Sequence, residues 1–212
     1  MTFHTGIRSD NDNMTLECVV DHNDGRVRGL QAGIVNDSQE FRGFRIGFLN
    51  DGAKGYGFDL GVFNSGDHYY GLRIGLGNGS ADMRNYGLDI GFYNFASRGL
   101  GAVQMGVVNN CENEIYLGVQ AGLINRSRYL EHSMQAGAVN YCNWSEGAQL
   151  GAANIAETST GLQLGLFNFS TASWNESSGI QIGLLNYRAD NPAWCRYMPF
   201  ISWKIGKKSK AK

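Results

Sequence analysis

Four residues of opposite charge recur along the first half of the chain, and charged side chains are common in binding and catalytic sites. Arg45, Asp59, Arg73 and Asp89 alternate in sign and are 14, 14 and 16 residues apart. If folding brings them side by side, they can either bind a charged partner or neutralise one another. We favour neutralisation, because adjacent opposite charges leave little electric field for an external partner.

The residue types that most often hold metals or act as nucleophiles show no matching pattern. The cysteines form no CxxC pair, and the histidines lack the spacing of metal ligands. No phosphate-binding loop or nucleophile elbow occurs. The sequence therefore predicts reduced thiols, no catalytic residues, no cofactor and no metal, with an enzyme site at one end of the chain as the third hypothesis. The residues considered are Cys18, Cys111, Cys142, Cys195, His4, His22, His68 and His132.

A much stronger pattern is an asparagine that returns every 14 to 18 residues, eleven times in all. Each asparagine ends a similar octapeptide, of which GLQLGLFN and GIQIGLLN are examples. Such a row could bind a ligand, but asparagines that cap turns with their side-chain amides explain every copy without one. We therefore expect a structural ladder. The asparagines are Asn36, Asn50, Asn64, Asn78, Asn94, Asn109, Asn125, Asn140, Asn154, Asn168 and Asn186.

The octapeptide has the periodicity of a β-strand. Numbered from its first residue, its second, fourth and sixth places are apolar and its fifth is glycine in all eleven copies. Alternation puts the second, fourth and sixth side chains on one face of a strand. We expect that face to form the core, so that each unit contributes one strand, a turn at the asparagine and a short polar return.

The third place distinguishes a solenoid of stacked parallel coils from an antiparallel β-meander or barrel of hairpin repeats. It holds the four alternating charges and then glutamine in six successive units, and Tyr56, Tyr70 and Tyr86 each directly precede a unit. Equivalent residues lie about 4.8 Å apart in a solenoid, close enough for charges and amides to pair, but about 10 Å apart in a meander. We therefore predict an all-β, single-domain β-solenoid of about eleven coils of 14 to 18 residues.

Segments without the repeat flank it at both ends. An open stack leaves two unpaired sheet edges, which promote aggregation unless they are covered. We therefore assign residues 1–28 to an N-terminal cap, residues 29–191 to the solenoid, and residues 192–212 to a C-terminal cap with a basic tail, KKSKAK. We expect this tail to be disordered.

The units GLQLGLFN and GIQIGLLN resemble those of bacterial surface-repeat proteins, whose unit is glycine, apolar, glutamine, apolar, glycine, two apolars and asparagine. The ending GIQIGLLNYRADNPAWCRYMPF is similar to the tryptophan- and proline-bearing endings of such chains. The resemblance covers about residues 29 to 203 and implies a repeat architecture, with no shared chemistry. This chain differs in having arginine or aspartate at four of the glutamine places.

A candidate interaction face follows from the fifth-place glycines, which share a strand face with the third place and lie opposite the expected core. A smooth face of glycine and glutamine, edged by seventh-place apolar side chains, lets another backbone approach closely. The candidate residues are Gly91, Gly106, Gly122, Gln104, Gln120, Gln135, Phe63 and Tyr93.

The composition narrows the function. A formal charge of -1 over 212 residues gives no basis for nucleic-acid binding. No run approaches the roughly 18 to 20 apolar residues of a membrane-spanning helix, so we expect no transmembrane insertion. The chain begins without a basic segment followed by an apolar run, which predicts a cytoplasmic location, with signal-independent export or a bacterial surface as the alternative.

The leading hypothesis is a non-enzymatic scaffold that presents an extended β-face to a protein partner or to a second copy as a homodimer. The runner-up is a bacterial surface or delivered virulence protein.

Overall fold

The computed structural model describes residues 2–4, 15–17, 20–80, 84–171 and 177–205, with most side chains from residue 26 onward. Within these ranges the backbone is almost entirely β-strand. No helix in the described part of the chain has the length and apolar character needed to cross a membrane. The basic tail, for which we predicted disorder, and Cys18 lie outside the described residues.

The strands follow one another along the chain with short breaks between coils. The first three units lie within one long strand, β3. Each later unit begins a separate strand. A 3-10 turn at Ala193–Cys195 precedes the last strand. The strands are β1 (Thr2–His4), β2 (Thr15–Glu17), β3 (Val20–Ser65), β4 (His68–Ser80), β5 (Arg84–Asn85), β6 (Leu88–Ala96), β7 (Gly99–Leu100), β8 (Val103–Tyr116), β9 (Val119–Glu131), β10 (Met134–Ser145), β11 (Ala148–Ser159), β12 (Leu162–Ser170), β13 (Ile180–Arg188) and β14 (Tyr197–Ser202).

Successive coils pair in parallel, with equivalent places of the repeat opposite each other. Gln135 of β10 lies opposite Gln120 of β9 and Gln149 of β11. The same register joins the units from β3 to β13. The predicted β-solenoid is therefore confirmed, and the antiparallel alternative is wrong. We number the coils 1 to 11 by their asparagines, from Asn36 to Asn186.

The two ends of the stack differ in strand direction. β2 and β1 continue the parallel stack before coil 1, with Thr15 opposite Gln31. β14 instead runs antiparallel to β13, with Ser202 opposite Gln181. The side-chain amide of Asn186 donates to the carbonyl oxygen of Met198 at 3.1 Å. The reversed strand thus occupies the edge that the last coil would otherwise leave open.

The interior of the coil lies on the opposite strand face from the one predicted. The third- and eighth-place side chains are buried in all eleven coils. Leu162, Leu164 and Leu166, which we expected in the core, are 37%, 45% and 49% exposed. The prediction of an apolar core at the second, fourth and sixth places is therefore wrong. A two-residue period separates the faces of a strand but does not say which one is enclosed.

Polar side chains can fill this interior because each coil presents the same group to the next coil. Burial of a polar group is costly only where it loses hydrogen bonds, and a stack of identical amides supplies them. Apolar side chains are also buried: the rings of Phe41 and Tyr69 lie against the guanidinium groups of Arg45 and Arg73, and a small apolar cluster lies on the far side of the coil. Its residues are Ala96, Cys111, Ile115, Leu130, Cys142 and Ala156.

Candidate functional site

The outer apolar face is the set of side chains at the second, fourth, sixth and seventh places of the eleven coils. The alternation of inward and outward side chains breaks after the fifth place, so the sixth and seventh both point outward. Leu76, Leu123 and Leu184, all at the sixth place, are 61%, 59% and 59% exposed. No charged residue occurs at any of these places. The face is therefore a continuous, uncharged apolar surface along the whole stack.

Two of the predicted interaction residues belong to this face. Phe63 and Tyr93, both at the seventh place, are 49% and 42% exposed. Phe63 contacts Phe48 of the preceding coil edge to face, with ring centroids 6.1 Å apart. The rings of Phe63 and Tyr93 are therefore accessible from outside the coil.

The predicted glutamines are not accessible to a partner. Gln104, Gln120 and Gln135 are buried inside the coil. Each glutamine from coil 7 to coil 11 donates from Nε2 to Oε1 of the glutamine in the preceding coil, at 2.7 to 2.9 Å. The assignment of these side chains to an open interaction face is therefore wrong, since their amides are used within the stack.

The predicted glycines also point into the stack. A Cβ atom on Gly91, Gly106 or Gly122 would overlap the carbonyl oxygen of the equivalent glycine in the preceding coil. It would also lie 2.6 to 2.8 Å from the side-chain nitrogen of that coil's asparagine. The column is glycine because only hydrogen leaves room for the neighbouring backbone and the asparagine amide. Its assignment to a docking groove is wrong.

The asparagines form the predicted ladder without a break. Ten hydrogen bonds of 2.7 to 2.9 Å join Nδ2 of each asparagine to Oδ1 of the next, from Asn36 to Asn186. The same Nδ2 also donates to the fourth-place carbonyl oxygen of the next coil, as Asn125 does to Ala136 at 2.9 Å. The amide thus ties two strands together beneath the outer apolar face.

The four charged residues form two buried ion pairs. Arg45 donates from Nε to Asp59 at 2.8 Å, and Arg73 donates from Nε and Nη2 to Asp89 at 2.7 and 2.9 Å. Burial disfavours the charged form of Arg73, but the Asp89 carboxylate, together with Tyr69 and Asp59, outweighs burial and raises the pKa of the guanidinium. Both pairs are fully enclosed and satisfied within the stack. They neutralise one another, as the sequence predicts.

The tyrosines before coils 3, 4 and 5 stack as predicted. The rings of Tyr56 and Tyr70 are 5.1 Å apart and inclined by 4°, and those of Tyr70 and Tyr86 are 4.7 Å apart and inclined by 8°. This aromatic row confirms the regular spacing of coils on which the outer face depends.

Sequence reasoning missed the residues that make the surface: the second-, fourth- and sixth-place side chains themselves. A signal was present, because the opposite face carried only glycine and residues able to pair with copies of themselves or with opposite charges. Hydrogen bonds and ion pairs between such residues are strongest where water is excluded. An uninterrupted amide ladder is thus better evidence for an interior than for a surface.

The cysteines in the stack are buried and chemically inert. Cys111 and Cys142 occupy equivalent places on either side of Ser127, two coils apart, and both are free thiols. Burial raises the pKa of each to about 12. Burial also raises the pKa of Tyr69 above its ordinary value.

We expect the stability of the protein to fall as the pH rises above about 9. Unfolded thiols ionise near pH 8.5, so above this pH the unfolded chain binds fewer protons than the folded chain. The thiols of Cys111 and Cys142 then each lower the free energy of unfolding by about 1.4 kcal/mol per pH unit, until the folded pKa is reached. Urea unfolding at pH 7, 9 and 10 measures this slope.

The matched variant is Cys111→Ala with Cys142→Ala, because Ala96 and Ala156 already occupy the same place in other coils. It should fold at pH 7 and lose less stability than the natural sequence between pH 9 and 10. Equal slopes for the two proteins would contradict the assignment of the alkaline loss to these thiols.

A polar depression of about 370 Å³ lies on the far side of coils 6 to 8. It is lined by amides, by Glu112 and Tyr141, and by Arg126 and Arg128. Among the described residues, no three histidine, cysteine or acidic side chains come together as metal ligands. Cys111 and Ser127 also line the depression, and Sγ of Cys111 donates to the carbonyl oxygens of Ser97 and Glu114.

Comparisons of this chain with protein-family models, with curated proteins and with solved structures find no match in any of the three.

Proposed function

We propose that this protein is a rigid scaffold that binds a protein partner through its outer apolar face. The observation that supports the proposal is that the side chains of four apolar columns are exposed or half-buried along eleven coils, while the third- and eighth-place polar side chains are enclosed. Hydrophobic burial is the main favourable contribution to most protein association. A surface of this kind gains free energy when another surface covers it.

The size of the outer apolar face supports binding to a macromolecule. Ten coil spacings of about 4.8 Å and five residues of about 3.3 Å give a surface about 48 Å long and 16 Å wide. This is about 800 Å², whereas the largest apolar patch on a typical monomer is about 300 to 600 Å². The face is comparable with one side of a standard protein interface, which is about 800 Å² per partner.

The architecture beneath the face supports rigid presentation. The asparagine ladder bonds every coil to the next directly under the apolar columns. Binding then requires little ordering of the scaffold backbone, and the entropic cost of association is reduced accordingly. The enclosed ladders and ion pairs thus have a structural role, and the outward side chains form the binding surface.

The test is a triple variant, Leu76→Glu, Leu123→Glu and Leu184→Glu, which places charges on coils 4, 7 and 11 of the face. Its matched control is Gln39→Glu, Tyr129→Glu and Thr171→Glu, which adds the same charge at exposed sites outside the face. Both variants should keep the β-sheet circular dichroism spectrum. The face variant should lose association in sedimentation of the purified protein and in capture from extracts of the producing cell, and the control should keep it.

Two results would contradict the proposal. One is association that is equal in the face variant, the control and the natural sequence. The other is the absence of any association by the natural sequence in both assays.

A further inference from the structure

Side-chain size is uneven along the outer apolar face. Coils 2 to 5 carry phenylalanine and large aliphatic side chains, coils 7 to 9 carry many alanines, and coils 10 and 11 are again large. The face therefore has a raised N-terminal half and a depression over coils 7 to 9. The second-, fourth- and sixth-place residues are Phe58, Leu60 and Val62 in coil 3, Leu72, Ile74 and Leu76 in coil 4, Met134, Ala136 and Ala138 in coil 8, and Ala148, Leu150 and Ala152 in coil 9.

We propose that the occupant of the outer apolar face is a second copy of this chain, bound face to face with the order of its coils reversed. This proposal rests on the proposed function, since it names the partner of the same surface. The symmetry axis lies in the plane of the interface, along the strand of coil 6. Coil 3 of one copy then faces coil 9 of the other, and coil 4 faces coil 8.

Reversal of the coil order makes the central part of the face, coils 3 to 9, complementary to itself, whereas coils 2 and 10, which then face each other, are both large. Large coils 3, 4 and 5 meet the small coils 9, 8 and 7, so that Ile74 lies opposite Ala136 of the second copy. A two-fold contact needs such self-complementarity, because residue i contacts residue j and residue j contacts residue i. With the coil order unreversed, phenylalanine would face phenylalanine and alanine would face alanine, which leaves gaps that cost contact energy.

Charge and area agree with a second copy as the occupant. No charged residue occurs on the face, so nothing in it selects a charged partner, and the chain as a whole has a formal charge of -1. Two apolar sheet faces pack about 10 Å apart with interlocking side chains. The area of about 800 Å² per copy is that of a standard stable interface.

The first measurement is the mass in solution. The full chain at micromolar concentration should sediment as a dimer, twice the 23.2 kDa of one chain. The face variant described above should sediment as a monomer, and its control as a dimer. If the natural sequence sediments as a monomer, the dimer inference is overturned. The proposed function still survives in that case if the natural sequence and the control capture another protein and the face variant does not. Monomeric protein that binds phosphatidylcholine vesicles would also overturn it, since lipid would then cover the face.

The second measurement exchanges a large and a small residue across the interface. Ala136→Ile should weaken the dimer by about tenfold or more, because an overpacked contact occurs twice by symmetry. Ile74→Ala should weaken it by a similar factor, since it leaves two cavities. The double variant should recover most of the affinity. Equal losses in the single and double variants would overturn the reversed order, and circular dichroism checks that each variant is folded.

The third measurement reads the coil order from distances between spin labels. Gln39 in coil 1 and Glu112 in coil 6 occupy equivalent exposed places, and each is replaced by cysteine in a Cys18→Ser background. In the reversed dimer the labels at position 39 should lie tens of ångströms farther apart than those at position 112, because ten coil spacings of about 4.8 Å separate the two copies of coil 1. Equal distances at the two positions would overturn the proposal.

Discussion

Gly137→Ala is expected to be among the most destabilising single substitutions in this protein. The new Cβ atom would overlap the carbonyl oxygen of Gly122 in the preceding coil and lie 2.6 Å from Nδ2 of Asn125. The carbonyl belongs to a strand paired on both sides, so it cannot move without breaking the ladder. Clashes with fixed backbone fall in the rare class of mutations that cost more than about 4 kcal/mol.

The same substitution at Gly79 is the control. A Cβ atom there meets nothing within 4 Å. Gly79→Ala should leave stability unchanged or raise it by about 0.4 to 1 kcal/mol, because alanine restricts the unfolded chain. Urea unfolding followed by circular dichroism measures both variants. Similar unfolding midpoints for the two would show that the fifth-place glycines are not required by the fold.

Arg73→Gln is expected to lower stability by about 3 to 5 kcal/mol, because it removes one partner of a buried ion pair. Asp89 would keep its carboxylate inside the coil without the two guanidinium bonds of 2.7 and 2.9 Å. Asp89→Gln should be destabilising to a similar degree, since it leaves the enclosed guanidinium of Arg73 unpaired.

The double variant Arg73→Gln with Asp89→Gln should recover most of this loss. Glutamines at the same place already bond to one another from coil 6 to coil 11. Nε2 of Gln104 has no hydrogen-bond partner among the described residues, and a glutamine at position 89 would offer it an acceptor. The ladder would thereby be extended by two coils.

A double-mutant cycle by urea unfolding measures the coupling between positions 73 and 89. Residues in one buried network couple by about 0.5 to 3 kcal/mol, and we expect the upper end of this range. Additive losses in the double variant would show that glutamine cannot replace the ion pair at this depth in the stack.

Much of the fold follows from features that can be counted along the chain. The eleven asparagines fix the number and boundaries of the coils. Opposite charges alternate at Arg45, Asp59, Arg73 and Asp89. They can pair only if neighbouring coils lie one strand spacing apart, and this requirement distinguished the parallel stack from hairpins. Like residues recur at the third and eighth places of successive coils, and parallel stacking brings them side by side. The ladders of asparagine and glutamine could therefore be predicted.

The binding surface could not be predicted in the same way. We placed Gln120 and Gly122 on an open face and Leu164 in the core, and the structure places the first two inside and the third outside. Hydrophobic side chains usually define the interior, and that general rule failed for this coil. Here a glycine is needed beneath each asparagine amide, because a Cβ atom at the fifth place would overlap the carbonyl oxygen of the preceding coil, so an aliphatic side chain does not fit at that place.

The sequence by itself therefore determined the strand period, the register and the columns of like residues, because each depends only on which residues recur and at what spacing. Only the tertiary structure decided which side of the strand is enclosed. The two faces of a strand have the same period, and the choice depends on how tightly the coil closes and on whether buried amides find partners in the next coil. That closure places the apolar columns outside, where a partner can bind them.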